Sequence, residues 1–270
     1  MLETLVTIGS FQVRTLNVFE VIAFLAAGLI FWRRAKEENY PEARVFDAYL
    51  LSYVAGWVLG RFGYVIFNID RFLGDPLSWL NIVQYPGVDL FFALLGASLY
   101  LVFFAKKQKW DAFEILDWWA QAVTMGLVWL NVGYFLAGTR FGHSTSLPWG
   151  VIFPGVFEKR HPVQLYFALF HAAMFKYLGW LEYNYRTFEW YRSGKKTAQT
   201  GFIFIAFLIS YAVFSLVMSI IQSPVYLIGG FALDGLFYLA LILLGIHLLL
   251  NRANRGLFSF KDRKLFPIKK

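Results

Sequence analysis

Apolar residues run through this chain in long blocks broken by short polar segments. A helix that crosses a bilayer needs about 20 predominantly apolar residues. Seven stretches fit that requirement, at roughly 16–32, 45–67, 82–105, 112–137, 162–183, 201–222 and 230–250. The pattern predicts an all-α, polytopic bundle of seven transmembrane helices, forming a single transmembrane domain over residues 1–270. No internal repeat or low-complexity segment interrupts it. The polar stretch 184–200 is short enough to be a simple connection. The longest connection on the other side, Gly138–His161, carries Gly138, Gly142, Gly150, Gly155, Pro148 and Pro154, which is loop chemistry.

Composition agrees with the pattern. Hydrophobic residues make up 59% of the 270 and charged residues 16%, and mean hydropathy is +0.54. Disorder needs the opposite balance and is excluded. An ordinary soluble enzyme is excluded by the apolar excess. The net charge of +8 would suggest nucleic acid in a soluble protein, but the positions of the charges assign it elsewhere. Arg33, Arg34, Lys36 and Arg44 follow the first block. Lys106, Lys107 and Lys109 follow the third, and Arg186, Arg192, Lys195 and Lys196 the fifth. The tail after the seventh holds Arg252, Arg255, Lys261, Arg263, Lys264, Lys269 and Lys270. These are 18 of the 25 basic residues, and all fall on alternate segments that share one side. By the positive-inside rule that side is cytoplasmic, with the N-terminus outside and the C-terminus inside. The surplus is topology plus attraction to anionic headgroups, and no nucleic-acid partner is expected. Met1–Val13 has no Lys or Arg, so the first block reads as an uncleaved anchor rather than a signal peptide. The expected location is a bacterial inner (plasma) membrane. Trp32, Trp79, Trp110, Trp118, Trp149, Trp180 and Trp190 lie near block ends, as interfacial anchors do. With no cysteine, disulfides, thiolate metal sites and Cys nucleophiles are excluded.

Polar residues at membrane depth are costly and mark function by default. Arg61, flanked by Gly60 and Gly63, is either a snorkelling end residue or a cation facing a cavity that binds a lipid phosphate, since guanidinium pairs bidentately with phosphate oxygens. Asp111 and Glu114 read as a capping box opening the fourth helix. Asp117, one turn deeper, has no such explanation. Glu20, Asp47, Asp89 and Asp234 solvate helix starts. His171 and His247 read as packing residues, and Lys176 as a snorkelling one. No His-x₃-His or His/Asp cluster is present, so no metal and no cofactor is expected. The seventh block has no Lys, which removes a retinal Schiff base. His161 and Gln164 are three apart and share a face at the start of the fifth helix, with Tyr166 close by. They form either an ordinary helix entrance or a polar wall at headgroup level.

Three blocks carry a resemblance. Gly60-Arg61-Phe62-Gly63-Tyr64-Val65-Ile66-Phe67, Leu147-Pro148-Trp149-Gly150-Val151-Ile152-Phe153-Pro154 and Arg160-His161-Pro162-Val163-Gln164-Leu165-Tyr166 are similar to stretches of bacterial prolipoprotein diacylglyceryl transferases. The last is close to that family's Arg-His-Pro-Ser-Gln-Leu-Tyr-Glu. The resemblance implies seven spans and transfer of a diacylglyceryl group from phosphatidylglycerol to the lipobox cysteine of a preprolipoprotein. Its implied partners are a phosphatidylglycerol-like membrane phospholipid and lipoprotein signal peptides.

The same resemblance shows departures. The family's Arg-x-Gly-Asn-Phe-x-Asn-Gly-Glu is matched by Asn131–Thr139, with Asn131 at the Arg, Tyr134 at the first Asn and Thr139 at the Glu. Gly142 matches the glycine that follows. The His of the third-span block is matched by Phe91. Three ionic positions of the sixth span are Ser215, Ser219 and Gln222, and 201–222 contains no Arg. Removing one transition-state donor typically costs about 2.7–4 kcal/mol. The reading is therefore a divergent family member that binds lipid and is catalytically degenerate. The alternative is an active transferase with relocated groups: Arg61, Arg140 and Arg160 on the phosphate, with Gly142, Gln164 and Tyr166 lining the lipid site, and His161 or His143 as base. A small-solute transporter is the weaker alternative.

Overall fold

The computed structural model describes residues 2–9, 11–74, 76–82, 84–186, 198–228 and 231–252. Seven helices run through it: α1 (Thr15–Glu37), α2 (Glu42–Phe67), α3 (Leu90–Gln108), α4 (Ala112–Ala137), α5 (Val163–Tyr185), α6 (Phe202–Met218) and α7 (Asp234–Arg252). Five of them, α1 to α4 and α7, are long and apolar enough to cross a membrane. α6 is apolar but has only 17 residues. α5 has the length, but Gln164, His171, Lys176, Glu182 and Asn184 dilute its hydropathy.

The helix ends follow local chemistry. Asp89 caps α3 by accepting from the Phe92 N–H at 2.9 Å, and Lys109, at φ 59°, ends it. The expected third span therefore begins late. Pro86 and Gly87 (φ 155°) hold 82–89 out of the helix. Asp111 caps α4 through the Phe113 N–H, 2.9 Å. The expected capping box does not close on itself, because the Glu114 carboxylate instead takes the Tyr40 hydroxyl at 2.6 Å and faces Arg186 at 3.9 Å.

α1 packs along α4, α2 along α3, and α6 against α7. The α2–α3 seam is built from small residues, as close helix approach in lipid requires. A Cβ on Gly56 would lie 2.7 Å from the Ala93 carbonyl oxygen, and one on Gly96 2.9 Å from that of Ala55.

Three two-stranded antiparallel hairpins depart from the all-α expectation: β1–β2 (Thr4–Ile8, Phe11–Arg14), β3–β4 (Val151–Ile152, Lys159–Arg160) and β5–β6 (Leu227–Ile228, Phe231–Ala232). All three lie at the end of the bundle where α1, α3, α5 and α7 begin. This hairpin end is tied down by main-chain bonds, such as that from Leu2 N to the Leu136 carbonyl at 3.0 Å.

The opposite, ionic end is a charge network. Arg34 pairs with Glu182 at 2.7 Å and with Glu37 at 2.9 Å, and donates to Gln121, which donates in turn to Glu182. Arg186 pairs with the buried Asp117. Asp117 also accepts from Gly201 N and Phe204 N, each at 2.8 Å, and so caps α6 from a neighbouring helix. Arg252 donates to Thr200 and lies 4.2 Å from the Phe113 ring centroid. Burial, and then the bond to Glu114, push the Tyr40 hydroxyl above its ordinary range, so it stays a donor. Of the basic residues expected on this side, Arg192, Lys195, Lys196 and those from Arg255 onward lie outside the described residues.

Candidate functional site

The hairpin end presents one cation differently from all others. α4 ends at Gly138, whose φ of 73° only glycine adopts freely. The Gly138 and Thr139 N–H groups bond back to the Phe135 and Tyr134 carbonyls. Arg140 is itself left-handed, at φ 58°, a conformation that costs a non-glycine residue about 1–2 kcal/mol. The turn is held by the side chain of Gln164, which donates to the Thr139 carbonyl oxygen. The result folds the guanidinium of Arg140 over the Tyr134 ring, 4.6 Å from its centroid.

Arg140 is exposed. Yet its field acts on groups that are not: Asp89, Tyr211, Tyr226 and Tyr238 are 7%, 9%, 4% and 9% exposed. It also acts on Glu20 of α1. An exposed cation thus acts on buried polar groups from the N-cap of α3, from α6, from α7 and from the loop before α7. Among the described residues no hydrogen bond or ion pair engages its guanidinium. That leaves five N–H donors for an anion.

Opposite stands Asp89. Its carboxylate accepts the Tyr226 hydroxyl at 3.0 and 2.9 Å on its two oxygens, besides capping α3. Tyr226 is placed by Asp234, which accepts from Val225 N at 3.0 Å and Tyr226 N at 3.1 Å. Burial, and then the Asp89 carboxylate, hold the Tyr226 proton well above its ordinary pKa. Asp234 thus does more than solvate a helix start: it is 2% exposed and braces the loop.

The other predicted residues lie in or beside the loops of the hairpin end. Gly142 lies where three segments cross. A Cβ there would be 2.5 Å from the Ile221 carbonyl oxygen and 2.6 Å from Val163. Its N–H donates to the His161 carbonyl at 2.9 Å, and the His143 N–H to that of Ile221 at 2.8 Å. His143 is exposed. His161 Nδ1 lies 3.4 Å from the Tyr166 hydroxyl, which accepts from Trp149 Nε1 at 2.8 Å. Arg160 faces Glu158 at 3.8 Å and the Phe141 ring. Arg61, expected at a lipid phosphate, is 5% exposed and its guanidinium is already occupied. It donates to the carbonyls of Trp79 (2.8 Å), Tyr85 (2.7 Å) and Gly87 (3.0 Å), with longer bonds to Ser78 and Asn81.

The sequence has known relatives. The family model described as prolipoprotein diacylglyceryl transferase matches residues 3–251. The chain belongs to that family. Three relatives are each named phosphatidylglycerol–prolipoprotein diacylglyceryl transferase. That of a Shewanella species is 30% identical over 240 residues, covering 86% of this chain and 85% of its own length. That of Vibrio cholerae is 30% identical over 264 residues (94% and 93%), and that of Solidesulfovibrio magneticus 31% over 261 residues (92% and 93%). Family membership and five apolar helices make this a multi-pass membrane protein.

Membership gives the neutral positions their context. Asn131, at the family's Arg, donates to the Leu127 carbonyl of its own helix at 2.7 Å. Ser219 does the same with Leu216, 2.7 Å. Gln222 bridges to Gly142 through the backbone, and Phe91 packs on Phe92, Tyr226 and Phe237. Ser215 is fully buried beside Tyr211, one turn away on α6. Tyr134, at the family's Asn, is the ring beneath Arg140. Arg140 itself lies nine positions after Asn131, past the end of α4. Sequence reasoning had Arg140 but missed its ring of neighbours Asp89, Tyr211, Tyr226 and Tyr238. The one available signal was a carboxylate directly after Pro86-Gly87-Val88, at the point where the predicted span breaks.

Proposed function

We propose that this protein transfers the diacylglyceryl group of phosphatidylglycerol to the lipobox cysteine of a preprolipoprotein. In this reading it is a single inner-membrane domain with seven spans, its N-terminus and hairpin end outside, and no cofactor. One observation carries the proposal: Arg140 is exposed, meets no hydrogen-bond or ion-pair partner among the described residues, and acts on the buried polar groups Asp89, Tyr211 and Tyr226. A guanidinium held in advance at that place stabilises the charge that develops on the leaving phosphate, and it does so without reorganising. Gln164 and the turn at Gly138 position it, and Tyr134 supports its face. Trp149, Tyr166 and His161 form the rim past which a signal peptide would approach.

A second reading, a lipid-binding member without chemistry, draws on Asn131 and Ser219. Each donates to a carbonyl of its own helix, and neither carries a charge for a phosphate. The deciding experiment is transfer from phosphatidylglycerol to a lipobox peptide by the purified protein. Turnover is expected. Its absence, with phosphatidylglycerol still bound in native mass spectrometry, would establish the second reading instead.

A further inference from the structure

Residues 82–105, which hold α3 and its approach, contain no His, so an acceptor for the thiol proton in this segment must be another group. His161 and His143 sit in the loops at the rim, the first beside Tyr166 and the second exposed. Among the described residues, the only carboxylate among the buried groups in the field of Arg140 is Asp89, two residues before Phe91. We propose that Asp89, in this segment, is the general base of this transferase. The inference rests on the transfer reading above.

The geometry suits the task. Asp89 Oδ1 accepts from Phe92 N, the one Tyr226 hydroxyl proton is shared between Oδ1 and Oδ2, and the Phe91 N–H also acts on the carboxylate. A carboxylate oxygen accepts about two hydrogen bonds, so Oδ2 keeps a lone pair for a thiol. Tyr226 and the α3 N-terminus fix its orientation. Arg140, Tyr211 and Tyr238 are the other titratable groups that face it, from the loop after α4, from α6 and from α7. On the α2 side, Arg61 is held on the carbonyl of Gly87, and the Gly60 carbonyl accepts from Asp89 N at 2.9 Å.

In the step, the thiol proton passes to Oδ2 and the sulfur electron pair forms the bond to the glyceryl carbon. The bond from that carbon to the phosphate oxygen breaks, and its electron pair leaves on the oxygen, beside Arg140. The proton then moves from Asp89 to the departing glycerol phosphate, which restores the carboxylate.

The test uses Asp89→Asn and Tyr226→Phe in the full-length protein, with transfer measured across pH and bound phosphatidylglycerol measured by native mass spectrometry. Asn keeps an acceptor oxygen for Phe92 and Tyr226 but has no basicity. Asp89→Asn is expected to lower transfer by about 100-fold or more at every pH, with bound lipid at the wild-type level. Tyr226→Phe is expected to stay active, with the acid limb of its rate profile moved to higher pH, because the carboxylate loses a donor that favours its charged form. Two results would overturn the assignment: transfer by Asp89→Asn within threefold of wild type, or loss of bound lipid in parallel with loss of transfer, which marks a strut. If the unmutated protein transfers nothing at any pH, the underlying transfer reading falls and this one with it.

Discussion

The two ends of the bundle use arginine in opposite ways. At the ionic end Arg34, Arg186 and Arg252 are each met by a protein acceptor, and Asp117 collects Arg186 together with two backbone N–H groups. There the charges join helix ends that lie far apart in sequence. At the hairpin end, main-chain bonds between loops and the carbonyl shell around Arg61 do the joining. Among the described residues Arg140 is left with an aromatic ring and no acceptor. A cation that holds the fold is spent on the fold, whereas one kept for a ligand must be positioned by something other than its own charge. Here that something is Gly138, Gln164 and Tyr134.

Substitutions can break this contrast. The largest effect is expected from Asp117→Ala, which strands the Arg186 guanidinium and the Gly201 and Phe204 N–H groups. Breaking one partner of a buried pair costs about 3–5 kcal/mol. Thermal unfolding in detergent should show a clear drop in midpoint, while transfer per folded molecule stays within twofold. An unchanged midpoint would mean that the ionic end is not structural.

Arg140→Gln should do the reverse. Transfer is expected to fall about 100- to 1,000-fold, the usual consequence of removing one transition-state donor, with the unfolding midpoint retained. A fall in stability comparable to that of Asp117→Ala would erase the distinction between the two ends.

The smallest effect sharpens the comparison within the ionic end itself. Arg33 pairs with Glu37 at 3.2 Å, but its side chain is 72% exposed. Arg33→Ala should change stability by about 0.5 kcal/mol or less, as read from the same melts. A larger loss would show that the outer charges, and not only the buried ones, hold the helices.

The helices were legible because lipid demands length and hydrophobicity, two properties that a linear chain displays directly. α4 matches its predicted limits because Asp111 and Gly138 are local signals. α3 began later than predicted because the apolar run over 82–89 hides Pro86 and Gly87. The short hairpins were missed because two-residue strands have no periodicity to read. The charge network at the ionic end was read only as topology, since the pairing of Arg34 with Glu182 spans most of the chain. At the site, residue type suggested Arg61, Arg140 and Arg160 equally. What separates them is which carbonyls and rings lie nearby, and that is set by loops whose packing no local pattern encodes. Asp89 escaped for the same reason: a helix cap and a buried carboxylate facing a cation look identical in one dimension.

Arg61 also bears on how the chain is assembled. The carbonyls it gathers belong to Ser78 through Gly87, which are synthesised 17 to 26 residues after it. α2 therefore carries a charge whose solvation comes from carbonyls outside its own sequence. That charge is covered only once the connection to α3 has wrapped around it, which ties the folding of α2 to that of the segment after it.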